Sequence, residues 1–299
     1  MIKVYQIKTF SFSILALLFL LAGSVFADPE LAKEHYNNAI KAKQAGNIDE
    51  AIVYYNAAIT EDKNYADPCI NLGAIYFEKE DYNNALDMFK KATERDATRA
   101  DAFANLGRVE YALKHYTESE AALKKAFEMD KSDKELYKDL AKVYSRQRKY
   151  AETINLLEDY HKQGGGDNYS FYFLGTAYDK TGKKNEAIAA LQKSIEMQSD
   201  YYQAHSTLGS IYLSQEKFAN AAGSFKKVLD LSPKNYNAAY NYAIAVQSKD
   251  PESFDSNIAA WNNFIKIAKN NARVPKQMMA TAEETVKALK EAKETSGMQ

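Results

Sequence analysis

From residue 32 onward, small, bulky and polar positions return along the chain at a fixed interval. The segment "NLGAIYFEKEDYNNALDMFKKA" (71–92) and the segment "NLGRVEYALKHYTESEAALKKA" (105–126) place Leu, Gly, an aromatic and Ala at the same offsets, shifted by 34 residues. Extending the shift divides the chain into units at 32–65, 66–99, 100–133, 134–167, 168–201, 202–235 and 236–271. The eighth position is small in every unit: Ala39, Gly73, Gly107, Ala141, Gly175, Gly209 and Ala243. The twentieth is small in the first six, and the twenty-fourth is bulky, as Tyr55, Phe89, Leu123, Leu157, Leu191 and Phe225. Within each unit the apolar spacing is that of two amphipathic helices. Two helices that cross closely need a small residue at the contact and a large one beside it.

This spacing resembles the tetratricopeptide repeat, and the resemblance covers nearly all of the chain after residue 27. Two family features are missing: no unit has Trp at its fourth position, and only the sixth has Pro at its thirty-second, Pro233. The resemblance implies an all-α, right-handed solenoid of about seven helix-turn-helix repeats whose first helices line a concave surface. The seventh unit carries two extra residues in its turn, "KDPES", before Phe254. From Pro275 the stripe Met279, Ala282, Val286 and Leu289 predicts one more helix, so residues 272–299 read as a capping helix and tail. Trp261 lies on the buried stripe of the seventh unit.

Composition agrees with helices: Gly and Pro number only 12 and 5 in 299 residues. A formal charge of −1 gives no bulk attraction to nucleic acid or anionic lipid, so neither is expected as a partner. Residues 1–27 differ from the rest. Lys3 and Lys8 precede an apolar run from Phe10 to about Leu21, and Val25 and Ala27 suit a cleavage site within "SVFADPE". This is the pattern of a secretory signal peptide, so the chain is expected to be exported, periplasmic or secreted, with no stable membrane anchor after cleavage. Cleavage takes the 39 basic residues to 37, against 40 acidic ones. The single Cys69 excludes an internal disulfide.

Catalytic and metal-binding patterns are lacking. His35, His115, His161 and His205 have no second ligand four residues on, and no nucleophile elbow, H-E-x-x-H or Cys–His signature occurs. No cofactor or metal is expected. The run Gly164, Gly165 and Gly166 falls at positions 31 to 33 of the fourth unit, with neither a P-loop nor a dinucleotide-binding spacing. It reads as a flexible joint between units.

Positions 4, 7, 8 and 11 of the first helix of each unit share one face, and positions 2, 5, 6, 9, 12 and 13 share the opposite one. The second set is left for ligands. Position six supplies Asn37, Asn71 and Asn105, and a column of amides offers donors and acceptors to an extended peptide. Positions nine and thirteen supply Arg108, Lys142 and Arg146, which favour acidic groups unless Glu135 and Asp139 neutralise them. The fifth unit adds Tyr169, Tyr172 and Phe173 as aromatic anchors, unless Tyr201 and Tyr202 claim them for packing. The carboxylate clamp of the family would need Lys at position five and Asn at nine of one unit, a pair that no unit supplies.

These positions point to a non-catalytic scaffold that binds a protein or extended peptide. Two other readings stay open: a glycan-binding protein of the cell envelope, and an accessory subunit of an envelope enzyme. Sequencing the amino terminus of the exported protein is expected to begin at Asp28. An intact Met1 in a membrane fraction overturns the cleavage.

Overall fold

A computed structural model describes residues 28–269 and 271–297; the signal-like segment lies outside them. Among these residues there are fifteen α-helices and no strands. Helices α1 (Pro29–Gln44), α2 (Ile48–Glu61), α3 (Ala66–Glu78), α4 (Tyr82–Arg95), α5 (Ala100–Ala112) and α6 (Tyr116–Met129) are followed by α7 (Lys134–Arg146) and α8 (Tyr150–Lys162). Then come α9 (Asn168–Lys180), α10 (Lys184–Met197), α11 (Tyr202–Ser214), α12 (Phe218–Leu231), α13 (Tyr236–Lys249), α14 (Phe254–Ala268) and α15 (Lys276–Ser296). Within each compact unit the helices pack chiefly on their neighbours in sequence, the arrangement of a helical-repeat solenoid. The chain divides into two compact units, one ending at Leu136 and the other beginning at Tyr137.

One contact recurs inside each helix pair. A Cβ added to Gly73 would stand 2.8 Å from the Phe89 ring, and one added to Gly107 would stand 2.5 Å from Leu123 Cγ. Gly175 meets Leu191 and Gly209 meets Phe225 in the same way, at 2.8 and 3.0 Å. The small residue of the first helix is therefore the seat of the bulky residue of the second. In the first pair Ala39 and Tyr55 are both buried completely. In α14 the two extra residues carry Trp261 into the bulky position, where it is buried, packs edge-on to Tyr240 and donates from its indole N–H to Gln247 at 2.8 Å. The same insertion sets Asn257 where a small residue stands elsewhere. Its amide is buried and donates to the carbonyls of Asp250 and Pro251.

The turn between the two helices of a pair has its own constraint. Its backbone enters the left-handed region at Gly46 and Gly182, and equally at Glu80, Lys114, Arg148 and Glu216. These residues all occupy the fifteenth position of their units. Gly182, in "TGKK", is thus a turn residue. Asp28 caps α1 by accepting from the Leu31 N–H at 3.0 Å, with Pro29 opening the helix.

The glycine run is a tightly packed joint, which corrects the expectation of a slack one. A Cβ on Gly165 would overlap the Tyr160 ring, and Gly164 and Gly166 have positive φ angles of 78° and 138°. Immediately after it, Asp167 and Ser170 cap α9 reciprocally. His161 stacks on Phe171 at 4.0 Å and pairs through Nε2 with the Ser170 hydroxyl.

At the end of the second unit, Ala282, Val286 and Leu289 of α15 are buried against a cluster that includes Trp261 and Phe264. Glycines at the seats and elsewhere in the helices should respond oppositely to Ala. Gly107→Ala forces Leu123 aside and is expected to cost about 1–3 kcal/mol. Gly223→Ala, exposed within α12 with open space around it, is expected to stabilise by about 1 kcal/mol through helix propensity. Urea midpoints of the two variants measure both effects.

Candidate functional site

The first helices of the pairs carry the side chains that packing leaves over, and the two compact units present different chemistry there. In the first unit, Asn37, Asn71 and Asn105 occupy corresponding positions of α1, α3 and α5. Asn37 is exposed, whereas Asn71 and Asn105 are half-buried and engaged. The Asn71 amide donates to the Tyr36 hydroxyl at 3.0 Å and to the Asp67 carbonyl at 3.1 Å. The Asn105 carbonyl accepts from Arg108 at 3.1 Å. The column is therefore not uniform. Asn71 has both amide hydrogens committed and offers a carbonyl, while Asn105 offers its amide hydrogens.

Position five departs from the expected groove face. Ile70 and Ala104 are buried there, and Ile70 packs in a cluster with Cys69, Ala92 and Ala102. Tyr36 packs against Tyr65 with ring centroids 5.2 Å apart, Lys138 pairs with Asp167 at 3.3 Å, and Tyr172 packs edge-on to Tyr201 at 5.3 Å. All three pairs join positions 5 and 34 of one repeat. Tyr172 is thus first a joint residue, and Lys138 is neutralised.

The sequence pattern gave no weight to the acids of position two. Asp67 and Asp101 flank Arg99, which contacts them at 2.6 and 2.8 Å. Hydrogen bonding from Arg99, with its charge, holds the Asp101 carboxyl below the usual aspartate range despite partial burial, and the Arg99 guanidinium is correspondingly held charged. Spacings of two and thirty-two residues are not helical pairs, so the motif is visible only once the repeats stack.

In the second unit, Lys142 pairs with Asp139 at 3.0 Å, the neutralisation that the neighbouring acids made possible. Arg146 is exposed at the end of α7. Tyr169, 43% exposed, packs edge-on to Tyr201 at 5.2 Å, and Phe173 lies 5.4 Å from Tyr172. Tyr201 is buried, and burial pushes its phenol well above the ordinary value.

One turn beyond Phe173 a trough of about 440 Å³ opens between α9 and α11. Thr176, Asp179, Lys184, Thr207, Ser210 and Ser214 are among the residues that line it. The hydroxyls of Thr176, Ser210 and Ser214 donate to carbonyls of their own helices, which turns oxygen lone pairs toward the trough. Asp179 is held by Lys184 at 2.5 Å and Lys180 at 3.6 Å. The trough is rich in acceptors, suited to N–H or hydroxyl donors. Its sequence signal was the switch of position nine from Arg108 and Lys142 to Thr176 and Ser210; position thirteen keeps a base in the fifth unit, Lys180, and becomes Ser214 in the sixth.

A family model described as the cilia and flagella-associated protein 70 C-terminal domain, a tetratricopeptide-repeat model, matches residues 25–245. The chain belongs to the tetratricopeptide-repeat family. Solved structures agree on the fold. The C-terminal part of a TPR repeat-containing protein from Cytophaga hutchinsonii superposes with a TM-score of 0.65 at 16% identity, over 80% of this chain and 97% of that one. A tetratricopeptide repeat protein from Parabacteroides merdae gives 0.62 at 12%, over 85% and 99%. A chain of the APC/C hetero-tetramer Cut9-Hcn1 gives 0.60 at 15%, over 84% of this chain and 48% of that one. No curated protein matches the sequence. Among the described residues no cluster of His, Cys, Asp and Glu is placed to hold a metal, and no helix is long and apolar enough to cross a membrane.

The Arg99 bridge gives a pH dependence of known sign. A carboxyl whose pKa is lower in the folded state stabilises above its unfolded value and loses that contribution as pH falls through the folded value. At pH 7, Arg99→Gln is expected to be less stable than wild type by about 1 kcal/mol, given the partial exposure of the cluster. The gap should close below about pH 4 as Asp101 protonates. Urea midpoints across pH 2–7 measure it.

Proposed function

We propose that the chain is an exported, non-catalytic scaffold that holds a protein partner by an extended segment laid across the first helices of its second unit. The observation that carries this reading is the adjacency of partly exposed aromatic rings, Tyr169 and Phe173, to the acceptor-lined trough between α9 and α11. An extended segment has unpaired main-chain N–H groups, which the hydroxyl oxygens and Asp179 would accept, while a bulky side chain would rest on the rings. The Cut9-Hcn1 hetero-tetramer is a protein assembly built on a chain of this fold, which supports a protein as partner. In the first unit, Asn37 and Asn105 remain the residues through which main chain would be held, with Arg108 beside Asn105. Export rests on the pattern of residues 1–27.

A glycan partner is the second reading, and one observation favours it. Thr176 and Asp179 stand one to two turns from Phe173 on the same helix, which brings a hydroxyl, an acid and an aromatic together as sugar recognition requires.

Pull-down of the mature chain from envelope extract identifies the partner, and calorimetry then compares variants. Tyr169→Ala with Phe173→Ala is expected to weaken binding by about 2 kcal/mol or more. Lys142→Ala with Arg146→Ala should cost less and reduce the salt dependence. Lys226→Ala with Lys227→Ala on the exposed side of α12 should change little. Loss of binding in this last variant alone overturns the proposal, and retention of a carbohydrate instead of a protein selects the second reading.

A further inference from the structure

Away from the first-helix face, the second unit contains a larger cavity of about 800 Å³. The turn between α12 and α13 supplies Pro233 and Lys234, α14 supplies Asn263, Lys266 and Ile267, and the segment entering α15 supplies Asn271 and Arg273. No carboxylate lines it. Lys234, Lys266 and Arg273 make no ion pair among the described residues, whereas Lys226 and Lys293 in the same unit have acidic partners at 3.3 and 2.5 Å. What sets these three cations apart is that they line one cavity together, with no carboxylate among its lining residues.

The cavity is also shaped by structure. Asn271 accepts the Arg273 N–H through its side chain and the Val274 N–H through its main chain, both at 3.0 Å. Val274 packs on the core around Trp261 and Phe264. The segment bearing Arg273 is thus fastened to the fold. Cations brought together repel one another, and an anion between them relieves that repulsion; Arg adds a planar fork that matches oxyanions, and the amides of Asn263 and Asn271 add neutral polar groups. The size of the cavity and its wall of Pro233 and Ile267 exceed what a lone inorganic ion would fill.

We propose that this cavity binds a small organic molecule carrying two or more anionic oxygen groups, phosphoryl or carboxylate. Arg273 and Lys266 hold the charged groups, Lys234 supplies the third positive charge, and the apolar wall receives the carbon skeleton.

The test is calorimetric titration of the full mature chain at low ionic strength with sodium pyrophosphate and, separately, with sodium citrate. At least one is expected to bind at a single site. Binding of pyrophosphate alone assigns phosphoryl groups, binding of citrate alone assigns carboxylates, and binding of both assigns any multivalent oxyanion. Lys266→Gln with Arg273→Gln should weaken the binding about tenfold or more. Lys226→Gln with Lys227→Gln removes the same charge elsewhere and should change it less than about twofold. All four positions are exposed, so the fold is expected to persist, and unchanged helical circular dichroism checks it. Absence of binding by both anions overturns the proposal. So does an equal loss in the two double variants, which would indicate general surface charge.

Discussion

The seat that one helix of each pair offers to the other is the constraint on which the rest of this structure depends. Where the eighth residue is glycine, the bulky twenty-fourth residue lies so close that even a methyl group would collide with it. The pair can then cross at short distance and bury a single large side chain, instead of spreading contact along both helices. Once the crossing is fixed, the first helix has a defined outer side. The residues on that side are free of this crossing; some pack at the joints between repeats, as Tyr172 and Asp67 do, and the rest are available for chemistry.

The repeats were legible in the sequence for this reason. Close packing demands the same residue sizes at the same offsets, so Gly73 and Gly107 or Phe89 and Leu123 announce their roles through spacing alone. Even the irregular seventh pair follows, since two extra residues in its turn move Trp261 into the bulky place. The candidate site was legible only in part. A helical wheel shows which way Asn71 points but not that the Tyr36 hydroxyl of the preceding pair takes its amide. It placed Tyr172 on the outer side, yet stacking turns that position into a joint with Tyr201. Contacts between repeats join residues about thirty positions apart, and no local period records them.

Charge behaves differently on the two compact units, each taken by itself. In the first, carboxylates at position two are drawn onto Arg99, leaving a surface on which amides and a phenol exchange hydrogen bonds. In the second, Asp167 and Asp139 quench Lys138 and Lys142 of α7, and along α9 and α11 aromatic and hydroxylic side chains stand beside the Asp179–Lys180–Lys184 cluster. Discrimination between ligands would then come from acceptor geometry and ring contact more than from net charge. The cluster of Lys234, Lys266 and Arg273 stands apart from both, since its charges are not quenched.

A stack of like pairs is an open series, because every pair exposes to the following one the surface it received from the last. Helix α15 ends that series. Its inner stripe of Ala282, Val286 and Leu289 covers the apolar flank of the final pair, and its other side is Lys and Glu in open solvent. The second unit therefore presents a polar surface on that side. A further pair set against that side would meet charged side chains where it needs an apolar seat.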